Sequence, residues 1–88
     1  MFAYILKPPP MPRSRQTDEF FSRFKQTPGL LHAYNLEEVG KLDQSLVVAV
    51  WESKEAAERY LSGDPLKKQV DETITGVTRT MYEVIDSK

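Results

Sequence analysis

The chain has 88 residues, with 12 Lys and Arg against 13 Asp and Glu for a formal net charge of −1, one His and no Cys. A chain this short folds as one domain over residues 1–88 and buries only about 60–65% of its unfolded surface, so a second subunit would add stability that it otherwise lacks. The balanced charge excludes a broad phosphate-binding surface and hence a nucleic-acid partner, the lack of Cys excludes disulfides and thiolate chemistry, and a lone His without clustered carboxylates argues against a metal site.

The opening run "MFAYIL" is too short for a bilayer span and has no basic start of a secretory signal, so no membrane association and a cytoplasmic location are expected. Phe2 to Lys7 reads as a strand with Phe2, Tyr4 and Leu6 on one face and Ala3 and Ile5 on the other, apolar on both sides. "KPPPMPR" follows as a stiff, extended connector, because proline fixes φ and has no backbone donor. Ser14 or Thr17 then caps a helix whose apolar stripe is Phe20, Phe21 and Phe24, and "TPGL" stops it. Leu30 to Leu36 is predicted as a second strand, with Leu30, His32, Tyr34 and Leu36 on one face and Leu31, Ala33 and Asn35 on the other.

"EEVGKLDQ" makes a hairpin connection around Gly40 into Ser45 to Trp51, where an unbroken apolar run indicates a central strand buried on both sides. Ser53 caps the next helix, whose apolar face is Ala56, Ala57, Tyr60 and Leu61, and Gly63 ends it. Asp64 and Pro65 restart a helix through Leu66, Val70 and Ile74, broken at Gly76. Val77 to Ile85 is the last strand, with Thr78, Thr80, Tyr82 and Val84 opposite Val77, Arg79, Met81, Glu83 and Ile85. This order is an α+β fold, a ferredoxin-like βαββαβ subunit with a four-stranded antiparallel sheet and helices on one face. Because the first and third strands are apolar on both sides, the helix-free face calls for a cover, and the economical one is the sheet of a second copy in a homodimer.

Three stretches, "TPGLLHAYNL", "LVVAVWESKEAAERYLSGDPLKK" and "TRTMYEVID", resemble the antibiotic biosynthesis monooxygenase family, nearly over the whole chain. The resemblance implies a dimeric α+β barrel, a pocket between sheet and helices in each subunit, and oxygenation of small aromatic, phenolic or quinol-type molecules with no cofactor and no metal. Haem-degrading members of that family are similar in having an Asn on the first strand, a Trp where this chain has Tyr60 and a His where it has Val70. None of the three is present here, so the resemblance does not extend to haem ligation.

Oxygenation without a cofactor requires a substrate that gives up a phenolic proton, whose free pKa is about 10, and an environment that favours the anion. His32 is the candidate base and Arg79 the candidate cation, the catalytic pair expected from residue type. Each also has a bland role, His32 as a half-buried strand residue and Arg79 as an ion-pair partner of Glu83 or of a second subunit. Tyr60, Tyr34, Trp51, Tyr82 and Tyr4 are the candidate substrate-binding aromatics, against packing roles for Trp51, Tyr60 and Tyr4. Asn35 could orient a carbonyl or hydroperoxide but alternates with His32 and Tyr34, so one pocket should not hold all three. A small apolar or aromatic molecule is the expected ligand, beside a second copy of the chain. The readings left open are a cofactor-independent monooxygenase, a non-catalytic binding or structural dimer, and a cyclase or isomerase working by His and Tyr proton transfer.

Overall fold

In the computed structural model, which describes residues 1–88, every predicted element forms. The strands are β1 (Phe2–Lys7), β2 (Leu30–Glu37), β3 (Ser45–Trp51) and β4 (Thr78–Glu83); the helices are α1 (Arg15–Phe24), α2 (Lys54–Gly63) and α3 (Pro65–Thr73). The sheet order is β2-β3-β1-β4, with every neighbouring pair antiparallel. β1 and β3 are therefore the central strands, which is why both are apolar on both faces.

Local chemistry sets the helix starts. Ser14 is the cap of α1 and Thr17 its reciprocal partner: the Thr17 amide donates to the Ser14 hydroxyl at 3.1 Å and the Ser14 amide to the Thr17 hydroxyl at 3.0 Å. Ser53 and Asp64 accept in the same way from Ala56 and Leu66. With entry points fixed, α1 turns Phe20 and Phe24 inward, α2 turns in Ala56, Ala57 and Tyr60, and α3 turns in Leu66 and Val70. These pack on Tyr4, Ala49 and Trp51 of the sheet to form one core.

A bulge near the start of β2 is the one departure from simple alternation. Leu30 lies opposite Trp51 and His32 opposite Val50, so one residue of β2 has no partner between them. Leu30 consequently packs against the core on the helix side, whereas His32, Tyr34 and Leu36 share the other face with Val50, Val48 and Leu46. The even alternation expected from Leu30 onward is thus corrected at its first residue.

Gly29, just before the bulge, has φ +85°, and a Cβ there would stand 2.5 Å from the Cβ of Ala56. Its carbonyl accepts from the Glu52 amide at 2.9 Å, tying the entry of β2 to the end of β3. Gly29→Ala combines left-handed strain with an overlap that only backbone movement relieves, and should lower stability by about 2–4 kcal/mol, read from the midpoint of urea unfolding. An unchanged midpoint would mean that the β2 entry is not held by this contact.

Helices cover one side of the sheet only. The uncovered side carries Ala3, Ile5, Val48 and Val50 at its centre, flanked by His32, Tyr34 and Leu36 on β2 and by Thr80 and Tyr82 on β4. No helix is long and apolar enough to cross a membrane.

Candidate functional site

Between the sheet and the helices lies a cavity of about 100 Å³. β1 contributes Tyr4 and Leu6, α1 contributes Thr17, Phe20, Phe21 and Phe24, α2 contributes Tyr60, and α3 contributes Val70. These are the inward positions of each element, so the wall is a direct product of their periodicity. Its aromatic part is closely coupled: the Phe24 and Tyr60 rings meet edge to face at 5.2 Å, and Tyr4 lies 6.5 Å from Tyr60. Asn35 of β2 and Ser45 of β3 add polar groups to the lining. The connector from β1 to α1 supplies Pro8, Met11, Pro12 and Arg13.

Behind Tyr4 and Tyr60 stands Arg79, opposite Leu6 on the helix side of β4. Its Nη1 donates to Asp71 Oδ1 of α3 at 2.6 Å, and Lys67 Nζ holds the other oxygen of Asp71 at 2.8 Å. Nε and Nη2 of Arg79 are buried without a hydrogen-bond partner. The hydroxyls of Tyr4 and Tyr60 lie close enough to feel the guanidinium charge, but are not oriented to accept these two hydrogens. Trp51 Nε1 is a third unpaired buried donor, on a ring 5.9 Å from Tyr4 and 5.7 Å from Tyr60. Such groups are rare in folded proteins and mark places where an acceptor is missing.

Burial, reinforced by Tyr60, raises the Tyr4 phenol far above its ordinary value despite the opposing pull of Arg79. Burial also raises Tyr60, again against Arg79 and with help from Asp64. Both hydroxyls therefore stay protonated and able to donate. Partial burial would raise Asp71, but the hydrogen bonds and charges of Lys67 and Arg79 outweigh it and hold the carboxyl below its usual 3.8. A depressed folded-state pKa gives stability that is present above the unfolded value and is lost as pH falls through the folded one. The Tm of the wild type should therefore drop more steeply below pH 3.8 than that of Asp71→Asn, whose uncharged amide has nothing to lose. Parallel acid profiles would show that the Asp71 pairing contributes nothing to folding.

Among the residues expected from sequence, Tyr4 and Tyr60 line the cavity, Arg79 backs them, and Trp51 lies fully buried beside them. His32, Tyr34 and Tyr82 lie elsewhere. All three are on the helix-free face, Tyr34 and Tyr82 about half exposed at 52% and 51%, with His32 and Tyr34 stacked at 6.4 Å. Strand alternation puts them across the sheet from the cavity, so His32, Tyr60 and Arg79 do not converge within one subunit. Asn35, the alternating neighbour of Tyr34, faces the cavity instead. The expected pairing of Arg79 with Glu83 is also replaced, by Asp71, because the helix-side position of Arg79 aims it at α3. Asp71 has no sequence signal beyond its helical spacing from Lys67, and the lining role of Pro8, Met11 and Pro12 was visible only as stiffness after β1.

No protein-family model matches the chain, and no curated protein matches it. Solved structures do match. SnoaB, a cofactor-independent oxygenase from Streptomyces nogalater, superposes with a TM-score of 0.76 at 15% identity, over 98% of this chain and 94% of that one. A structure described as an antibiotic biosynthesis monooxygenase gives a TM-score of 0.76 at 11% identity, over 98% and 100%. MhuD, a haem degrader from Mycobacterium tuberculosis solved with two haems in its active site, gives 0.64 at 21% identity, over 100% and 99%. The chain has the fold shared by these antibiotic biosynthesis monooxygenase structures.

The haem of the last of these does not fit the residues here. The position expected to carry an iron ligand is Val70, the only His is on the far side of the sheet, and no His, Asp, Glu or Cys lines the cavity. The space of about 100 Å³ is also far too small for a tetrapyrrole.

Proposed function

We propose that the chain belongs to the antibiotic biosynthesis monooxygenase family and is a cofactor-independent monooxygenase of a small phenolic or quinol-type substrate, acting as a homodimer in the cytoplasm. The observation that carries this reading is a buried guanidinium with two unpaired donors against an aromatic cavity wall. Such a cation stabilises a phenolate where water cannot, and an electron-rich phenolate is what reacts with O₂ unaided. In the balanced reaction a ring C–H para to the hydroxyl of a phenol becomes C=O, or one ortho to a hydroxyl of a quinol becomes C–OH as the ring passes to the quinone; one oxygen atom of O₂ enters the ring and the other leaves as water with the two hydrogens lost. Tyr4 and Tyr60 donate to the anion's oxygen or to that of a peroxide, Arg79 behind them adds its positive charge through these two hydroxyls, and Asn35 orients the opposite end. Since His32 is on the other sheet face, the guanidinium promotes ionisation by lowering the pKa of the substrate itself, and no dedicated base is needed. In the proposed dimer His32, Tyr34 and Tyr82 lie within the contact between the two sheets.

Oxygen uptake tests the reading directly. With chelator present, phenols and hydroquinones should consume O₂ faster than in buffer, with one molecule of water formed per O₂ and no release of peroxide. Uptake at the uncatalysed rate, with binding intact, would eliminate the enzyme. One observation favours a second reading, a non-catalytic dimer that holds a small aromatic molecule: no carboxylate or imidazole lines the cavity to move a proton. The same experiment separates the two.

A further inference from the structure

We infer that Asp71 is a positioning residue for Arg79 and that Lys67 offsets the charge of Asp71, so that α3 holds the guanidinium behind Tyr4 and Tyr60 without cancelling it. The inference rests on the reading of the site as one that stabilises a substrate anion, where an arginine neutralised by its own carboxylate would be of little use.

The three side chains form a short charged chain between α3 and β4. Lys67 Nζ meets one oxygen of Asp71 at 2.8 Å, and the other oxygen accepts from Arg79 Nη1 at 2.6 Å. Two cations therefore share one carboxylate, and the cluster keeps a net positive charge. Arg79 is its most buried member, with 13% of the side chain exposed against 34% for Asp71 and 27% for Lys67, so the positive charge is least screened at Arg79. The guanidinium is planar. With Nη1 held by Asp71, the edge formed by Nε and Nη2 keeps both donors buried and without partners. The hydroxyls of Tyr4 from β1 and Tyr60 from α2 both feel the charge.

The helix itself gains little from this pair. Lys67 lies in the first turn of α3 and Asp71 in the last, so each charge stands at the end of the helix dipole that it complements least. Lys before Asp at this spacing is also the weaker order for a helical ion pair. A pair set against the dipole is accounted for by its third member, Arg79, which arrives from β4 eight residues further along the chain.

The experiment follows exchange of the Arg79 Nε–H with solvent in nitrogen-labelled protein, the signal being identified by its loss in Arg79→Lys. Beside it, oxygen uptake with hydroquinone is measured across pH. Asp71→Asn, nearly identical in shape, should speed the Nε–H exchange by at least about tenfold and lower kcat by about tenfold with KM little changed. If that variant does not fold, Asp71→Glu, which displaces the carboxylate by one methylene, is read in the same way. Lys67→Met should leave the Nε–H as protected as in the wild type, since Asp71 still holds Nη1. Its kcat profile should nevertheless move to higher pH by about 0.5 or more, because Arg79 alone now answers the carboxylate. Exchange as slow in the Asp71 variant as in the wild type would overturn the positioning role, and an unmoved profile in Lys67→Met would overturn the offset. A wild type that consumes no oxygen removes the function and, with it, the offset; the positioning of Arg79 then stands or falls on the Nε–H alone.

Discussion

Replacing Val48 with Asp should turn a dimer into a monomer without unfolding the subunit. Val48 lies at the centre of the helix-free face, between Ile5 of β1 and Tyr34 of β2. In the isolated chain this side of the sheet meets water, so a carboxylate there remains hydrated and costs the subunit little. In a two-fold sheet-to-sheet contact each copy would bury its own carboxylate near that of its partner, and the one cation on the central strands, Lys7, stands at the end of β1 rather than opposite position 48, whose partner is Ile5. An unpaired buried charge costs about 3–5 kcal/mol, which raises the dimer dissociation constant by about 10²–10³ or more. Sedimentation velocity at micromolar concentration reads the change, and circular dichroism checks the fold. A wild-type monomer under those conditions would remove the proposed dimer, and a Val48→Asp dimer would move the interface to another surface.

Arg79→Met should reduce oxygen uptake by about 10²–10³-fold, the size of effect that follows loss of a buried group stabilising a developing oxyanion. Stability should hold or rise, and this is the informative part. Arg79 carries two buried donors without partners, each unfavourable by about 1–3 kcal/mol, and Met fills much of the same volume with no polar atom. Asp71 keeps Lys67 as its partner. Arg79→Lys should recover part of the activity, because the charge returns without the planar fork that pairs with Asp71. If Arg79 were only a structural ion pair, the pattern would reverse: Arg79→Met would unfold more easily and activity per folded molecule would not change. Chemical unfolding midpoints measured beside initial rates decide between the two.

How far the sequence could be read differs between fold and site. The helix caps Ser14, Ser53 and Asp64, the stops at Gly29 and Gly76 and the double-sided apolar runs of β1 and β3 are local features, and each led to the correct element. Tyr4 and Tyr60 were legible as candidates because their stripes had to face inward. β2 was less legible, since its polar residues fall on both faces and nothing local says which face the helices will cover. His32 drew the functional expectation through its chemistry, and one alternation step separates it from the side on which Asn35 meets the cavity. The bulge beside Leu31 likewise depends on the registry of β2 against β3, a long-range pairing.

What this sequence determined by itself is the set of elements, their order and the apolar character of both faces of the two central strands. Those follow from dihedral preferences, capping hydrogen bonds and periodicity, all acting within a few residues. The tertiary structure decided which strand face became cavity and which became open sheet, and it placed Arg79 on Asp71 behind two protonated tyrosines. It also set Pro8, Met11 and Pro12 of the proline connector into the lining of the space. Each of these joins residues far apart in the chain, so its outcome is set by packing and by the burial of charge, which no local pattern encodes.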